Sequence, residues 1–171
     1  MRFIRKDERG WWQLDDYLDF LSGNAERFPP GAREFALAGW HYDFKHVQCP
    51  HDSWLEEFTI KENSSSERNQ IRLVEIRARF LGAYHNGYFD LIYEGVSSYS
   101  SKFSSIERGS NRGHGDWIID EIIMPNSSMV HHEIELRQAT WSICCADLRY
   151  HWTETNPGVT RQILKRRQPP I

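Results

Sequence analysis

Asn86-Gly87 stands between two runs whose apolar residues fall on every second position: Val74, Ile76, Ala78 and Phe80 before it, Phe89, Leu91 and Tyr93 after it. A spacing of two places those side chains on one side of a strand. Asn-Gly is the preferred central pair of a type I′ turn, because both residues tolerate positive φ. The spacing therefore predicts an antiparallel hairpin with His85 opposite Tyr88. In that register Tyr84 and Tyr99 join the apolar face and Arg79 meets Glu94 on the other. Such a hairpin has one side to bury, so a further layer must cover it.

The same period recurs along much of the chain. Trp40, Tyr42 and Phe44 alternate with His41, Asp43 and Lys45, predicting a strand there, and Trp54, Phe58 and Ile60 share a face with Glu56 in another. From Asp116 a meander is expected. Trp117, Ile119 and Ile123 lead through Pro125-Asn126-Ser127-Ser128 to Val130, Ile134 and Leu136, and a turn near Gln138-Ala139 leads on to Trp141 and Ile143. Leu148, Tyr150 and Trp152 resume the alternation out of phase, so a bulge or bend is expected at Ala146-Asp147. Only the N-terminal part is helical in pattern. Leu14, Tyr17, Leu18 and Leu21 fall at i, i+3, i+4 and i+7, predicting a helix over 12–22, and a short second one follows Pro29-Pro30 with Phe35 and Leu37. Residues 97–115, rich in serine and glycine, read as a long loop.

These elements predict a mainly β domain: an antiparallel sandwich or strongly curved sheet with one or two N-terminal helices. The alternative is an α+β sheet covered by helices on one face. The expected organisation is one domain over 1–171, with a helical part at 1–38, antiparallel β structure at 39–153 and a basic tail at 154–171 that holds Arg161, Lys165, Arg166 and Arg167.

Charge and cysteine usage narrow the classes of partner. A net charge of −3 argues against nucleic acid as a partner, since that footprint is a strongly basic face. No apolar run approaches the roughly 20 residues of a membrane span, and no h-region follows the basic residues near Met1. The three cysteines, two of them adjacent as Cys144-Cys145, have no framework spacing, which points to a reducing cytoplasm.

Candidate chemistry rests on register. Pairing Ile123 with Val130 sets Glu121 opposite His132, and pairing Leu136 with Trp141 sets His132 opposite Cys145. One row would then hold a carboxylate, an imidazole and a thiol, the ingredients of a base-activated nucleophile or of a zinc site. The alternative is a buried Glu–His hydrogen bond beside an inert cysteine. Cys49, His51 and Asp52 form a second candidate in a loop, for binding or for thiol reactivity, and His114 lies in the glycine-rich segment Gly109–Gly115. That segment lacks the Lys-Ser/Thr of a phosphate loop. His131-His132-Glu133 is no metal motif, because adjacent strand residues point to opposite faces. No metal site and no cofactor is expected.

The segments LGAYHNGYFDLIYEGVSSYS, HGDWIIDEI, and HHEIEL followed by TWSICCADLRYHW resemble parts of small bacterial β-rich proteins, some of them similar to immunity proteins of toxin systems. The resemblance spans Arg72 to Trp152 and brings no catalytic residue with it. It implies a non-enzymatic protein-interaction or inhibitory module, with a protein partner or self-association. The alternatives are a small-ligand-binding β domain, or an enzyme using the Glu121–His132–Cys145 row.

Overall fold

The computed structural model describes residues 1–104 and 113–155. The basic tail from 156 onward and most of the glycine-rich segment fall outside that range. Short strands β1 (Arg5–Lys6) and β2 (Trp12–Gln13) pair with each other and precede helices α1 (Asp15–Asn24) and α2 (Pro30–Ala36). Eight strands follow: β3 (Trp54–Glu62), β4 (Val74–Leu81), β5 (Gly87–Val96), β6 (Ser98–Phe103), β7 (Trp117–Asn126), β8 (Met129–Leu136), β9 (Ala139–Cys145) and β10 (Asp147–Glu154). They form two four-stranded antiparallel sheets, ordered β10-β5-β4-β3 and β6-β9-β8-β7. The sheets face one another. Phe80 meets Trp117 and Trp141 at ring-centroid distances of 5.0 and 5.7 Å, and Phe58 meets Trp141 at 4.5 Å. The fold is a β-sandwich with N-terminal helices, and not a single sheet covered by helices.

Two pairs of strands belong to both sheets. β5 runs into β6, and β9 into β10, while β10 pairs with β5 and β6 with β9. The result is one long antiparallel ribbon bent between the sheets. At the bend Gly95 takes φ 60° and Ala146 N–H donates to the Glu94 carbonyl at 2.9 Å. A Cβ at Gly95 would come within 3.0 Å of the Ala146 Cβ, so glycine serves both the backbone and the close approach. The phase change expected at Ala146-Asp147 is this bend.

The Asn86-Gly87 hairpin keeps its faces but changes its register. Leu81 pairs with Tyr88, and Gly82 N–H donates to the Gly87 carbonyl at 2.9 Å, so residues 83–86 form the connection. Its left-handed residue is His85, φ 55°. Arg79 consequently meets Asp90 at 2.8 Å, and Glu94 pairs with Arg149 instead. Ile76, Ala78, Phe80, Phe89, Leu91 and Tyr93 are all buried as the period requires. Tyr84 is exposed in the connection, and Tyr99 lies on β6 in the other sheet. Gly87 serves packing: a Cβ there would lie 2.1 Å from Cζ2 of Trp152.

Four further expectations need correction. Residues 40–45 form successive turns and no strand, with Asp43 N–H donating to Trp40 and His46 N–H to Asp43. The alternation there reflects aromatics that pack in different directions. β3 carries a bulge between Leu55 and Glu57, which turns Trp54 to the face opposite Phe58; Phe58 packs inward, and Ile60, on the same face as Phe58, is left exposed further along the strand. Residues 98–103, expected in a loop, form β6. In α1 the buried residues are Tyr17 and Leu21, whereas Leu18 is exposed.

The helices close an open side of the sandwich. α2 has no side-chain cap of its own. The Asp147 carboxylate, from β10, accepts the Gly31 and Ala32 N–H groups at 3.1 and 2.8 Å and so fills that role. Phe35 then stacks on Tyr150 at 5.2 Å and reaches between the sheets.

Candidate functional site

β7 decides which polar residues meet. Its pairing with β8 shifts between Trp117 and Ile119 and again between Ile123 and Asn126. Between those bulges the register sets Ile122 opposite His132 and Glu121 opposite Glu133. A shift of one residue turns every side chain to the other face. Asp120, rather than Glu121, therefore points into the sandwich beside His132.

The interior cluster is a chain of four groups. The His41 Nδ1–H donates to the Phe35 carbonyl at 2.9 Å, and its Nε2 lies 3.0 Å from Oδ2 of Asp120. The same oxygen is 3.0 Å from Nε2 of His132, whose Nδ1 is 2.9 Å from the Tyr93 hydroxyl. Trp117 Nε1–H adds a donor to Oδ1 at 3.2 Å. Both ring nitrogens of His41 face oxygen acceptors, the Phe35 carbonyl on one side and the Asp120 carboxylate on the other. His132 is satisfied as the neutral ring, donating from Nε2 and accepting the Tyr93 hydroxyl proton at Nδ1. Burial raises the Asp120 carboxyl, but the charge of His41 and the hydrogen bonds from both histidines outweigh it and hold it well below the usual range. Burial lowers His132, only partly offset by Asp120. Burial also holds Tyr93 protonated.

This arrangement has an orienting carboxylate between two imidazoles, yet every ring nitrogen is committed to an internal partner. His41, Asp120, His132 and Tyr93 are all buried. The cluster fastens the 39–53 loop to β7, β8 and β5. It presents no nucleophile.

The residues singled out from the sequence are dispersed. Glu121 lies on the outer side of its sheet, where its carboxylate accepts the N–H groups of Arg2, Phe3 and Ile4 at 2.6, 2.7 and 2.8 Å. Cys145 pairs with Val130, while His132 pairs with Ile143, so the thiol sits two positions along the strand. The Glu121–His132–Cys145 row does not form. Burial pushes the Cys145 thiol up to about 12, and the same cause puts Cys49 at about 12. Cys49 Sγ donates to the His41 carbonyl at 2.9 Å, inside the protein. His51 donates from Nδ1 to the Ile118 carbonyl at 2.8 Å, and Asp52 is an exposed left-handed turn residue whose N–H donates to Trp117. His51 and Asp52 thus anchor the loop to β7, while Cys49 bonds within the loop itself. His114 stacks on Phe103 at 4.8 Å, and partial burial lowers it. Among the described residues no three His, Cys, Asp or Glu side chains are grouped to hold a metal ion.

Periodicity alone does not mark His41, Asp120 or Tyr93 as members of a polar cluster. One signal existed: Asp120-Glu121 interrupts Ile118-Ile119 and Ile122-Ile123, and two acids inside an apolar run must be buried with partners. Compared with family models, curated proteins and solved structures, the chain matches none.

The same 39–53 loop also builds an exposed surface. Phe44, Trp54 and Tyr84 are 41%, 47% and 55% exposed, and Val47, in the same loop as Phe44, is exposed as well. Phe44 stacks on His51 at 4.3 Å, the Tyr84 hydroxyl donates to the Lys45 carbonyl at 3.2 Å, and Trp54 meets His85 edge-on at 4.5 Å. Two loops and the start of β3 thereby present fixed aromatic rings at one end of the sandwich.

Proposed function

We propose that the protein is a non-enzymatic interaction module, of the inhibitory kind implied by the resemblance over 72–152, that docks a protein partner on the aromatic end formed by Phe44, Val47, Trp54 and Tyr84. The observation that carries this reading is the fixing of exposed rings by specific contacts. Large side chains held in place bury much area at little entropic cost, which is the property of binding hot spots. A small-ligand role has less to work with. The hollows of ordinary ligand size, about 570, 460 and 380 Å³, lie open on the surface, and the more enclosed cleft lined by Gly31, Phe35, Trp40 and Tyr150 holds only about 270 Å³.

The test is affinity capture from source cells with the wild type, the double variant Phe44→Ser/Tyr84→Ser, and the control Ile71→Ser, a residue exposed elsewhere. A single stoichiometric protein retained by wild type and control but lost by the double variant supports the reading. Retention unaffected by the double variant, or no retained protein at all, overturns it.

A further inference from the structure

Each sheet has two outer strands, and three of those four are closed by identifiable means. The free side of β7 is taken up by hydrogen bonds. Trp117 exchanges backbone bonds with Asp52 and Ser53, His51 donates to Ile118, Tyr42 donates to Asp120, and the Tyr17 hydroxyl both donates to and accepts from Ile122. β10 has α2 against it, so close that a Cβ at Gly31 would lie 2.1 Å from the Leu148 carbonyl oxygen. β3 carries a bulge and the charges of Glu56, Glu57, Lys61 and Glu62. Bulges and charges are the usual protections of an edge.

β6, among the described residues, has no such hydrogen bonds, no helix against it and no bulge, and little charge. Its register with β9 is unbroken from Ser98–Cys144 to Phe103–Ala139, all six side chains are exposed, and its one charge is Lys102. Among the described residues no hydrogen bond reaches its outer side.

The ladder fixes which groups point outward. Ser104 N–H donates to the Gln138 carbonyl at 3.1 Å, continuing the β9 register, so even-numbered residues bond inward and Tyr99, Ser101 and Phe103 turn their N–H and C=O groups out. We infer that the protein forms a two-fold dimer in which β6 pairs antiparallel with β6 of a second copy, centred on Ser101. The occupant follows from self-complementarity. Only an even sum of residue numbers brings outward groups face to face. Centring on Ser101 sets Tyr99 opposite Phe103 in both halves, an aromatic cross-strand pair, and Lys102 opposite Ser100, so that no like charges meet. Each opposed outward pair exchanges two hydrogen bonds, and the β6-β9-β8-β7 sheet continues into its copy.

The experiment is sedimentation equilibrium of the full chain at about 1 µM to 1 mM, a range that spans weak to moderate association. Ser101→Pro removes an outward N–H without touching the β9 ladder, and Tyr99→Lys removes the aromatic pair and adds a charge. Wild type is expected to move from 20.3 kDa toward twice that mass with concentration, while both variants stay monomeric with unchanged circular dichroism. If Ser101→Pro disturbs the fold, Tyr99→Lys decides. Wild type that is monomeric throughout, or a Tyr99→Lys variant that dimerises as wild type does, overturns the inference. Neither result bears on the aromatic end, which the capture experiment tests separately.

Discussion

Replacing Asp120 by alanine removes the one carboxylate on which His41, His132 and Trp117 converge. His41 would keep its Phe35 acceptor but lose its carboxylate partner, and His132 would lose the acceptor for its Nε2–H. Breaking a buried pair from one side typically costs about 3–5 kcal/mol, because a charge is left uncompensated. Against a total stability of about 5–15 kcal/mol, that is a large share. With a urea m-value near 2 kcal/mol/M, the unfolding midpoint should fall by about 1.5–2.5 M. Tryptophan fluorescence is a suitable readout, since Trp117 and Trp141 are buried. The gap between wild type and variant should narrow in acid. A carboxyl held below its ordinary value of 3.8 contributes stability that is complete above that value and is lost as pH falls toward the folded one. His132, lowered from 6.5, also weakens the fold in acid, in wild type and variant alike: the unfolded chain takes up its proton first, so stability declines once pH drops below 6.5. A loss under about 1 kcal/mol at neutral pH, the range of an exposed ion pair, would refute the assignment of Asp120 as a buried tie.

Other outcomes follow from single contacts. Gly87→Ala should destabilise the protein far more than Gly39→Ala in thermal melts, because a Cβ at 87 strikes the Trp152 ring whereas one at 39 meets nothing within 4 Å. Glu121→Ala should cost about 2–3 kcal/mol by leaving N–H groups unpaired, and should raise hydrogen exchange at Phe3 and Ile4; unchanged protection there would count against the docking of this segment. Thiol labelling of the native protein at pH 8 should modify Cys144, which is half-buried, and spare Cys49 and Cys145 until denaturant is added; mass spectrometry of labelled peptides would show a failure directly.

The sequence was most informative where one face of a strand is buried and the other wet. Phe80, Phe89, Leu91 and Tyr93 could be placed on that ground alone. Register was harder, because it depends on contacts remote in sequence. The glycine after Asn86 reads as a turn residue, but it is required by the indole of Trp152, and the turn opens accordingly. In β7 two bulges exchange the roles of Asp120 and Glu121, and nothing local marks them, since both acids are buried on their respective sides. Residues 40–42 show the limit of periodicity. Trp40, His41 and Tyr42 each find a ring partner, so an alternating pattern arises without a strand.

The bent ribbon also sets how the chain can reach this fold. β3 with β4, and β7 with β8 and β9, are hairpins of near neighbours that close at modest entropic cost. Pairing β10 with β5 must wait for a long intervening chain to be gathered in, and it places β6 beside β9 in the same act. Neither sheet can be completed while the other is open. The two layers therefore lack the independence of separate folding units, and a break in the ribbon would be felt as the loss of both.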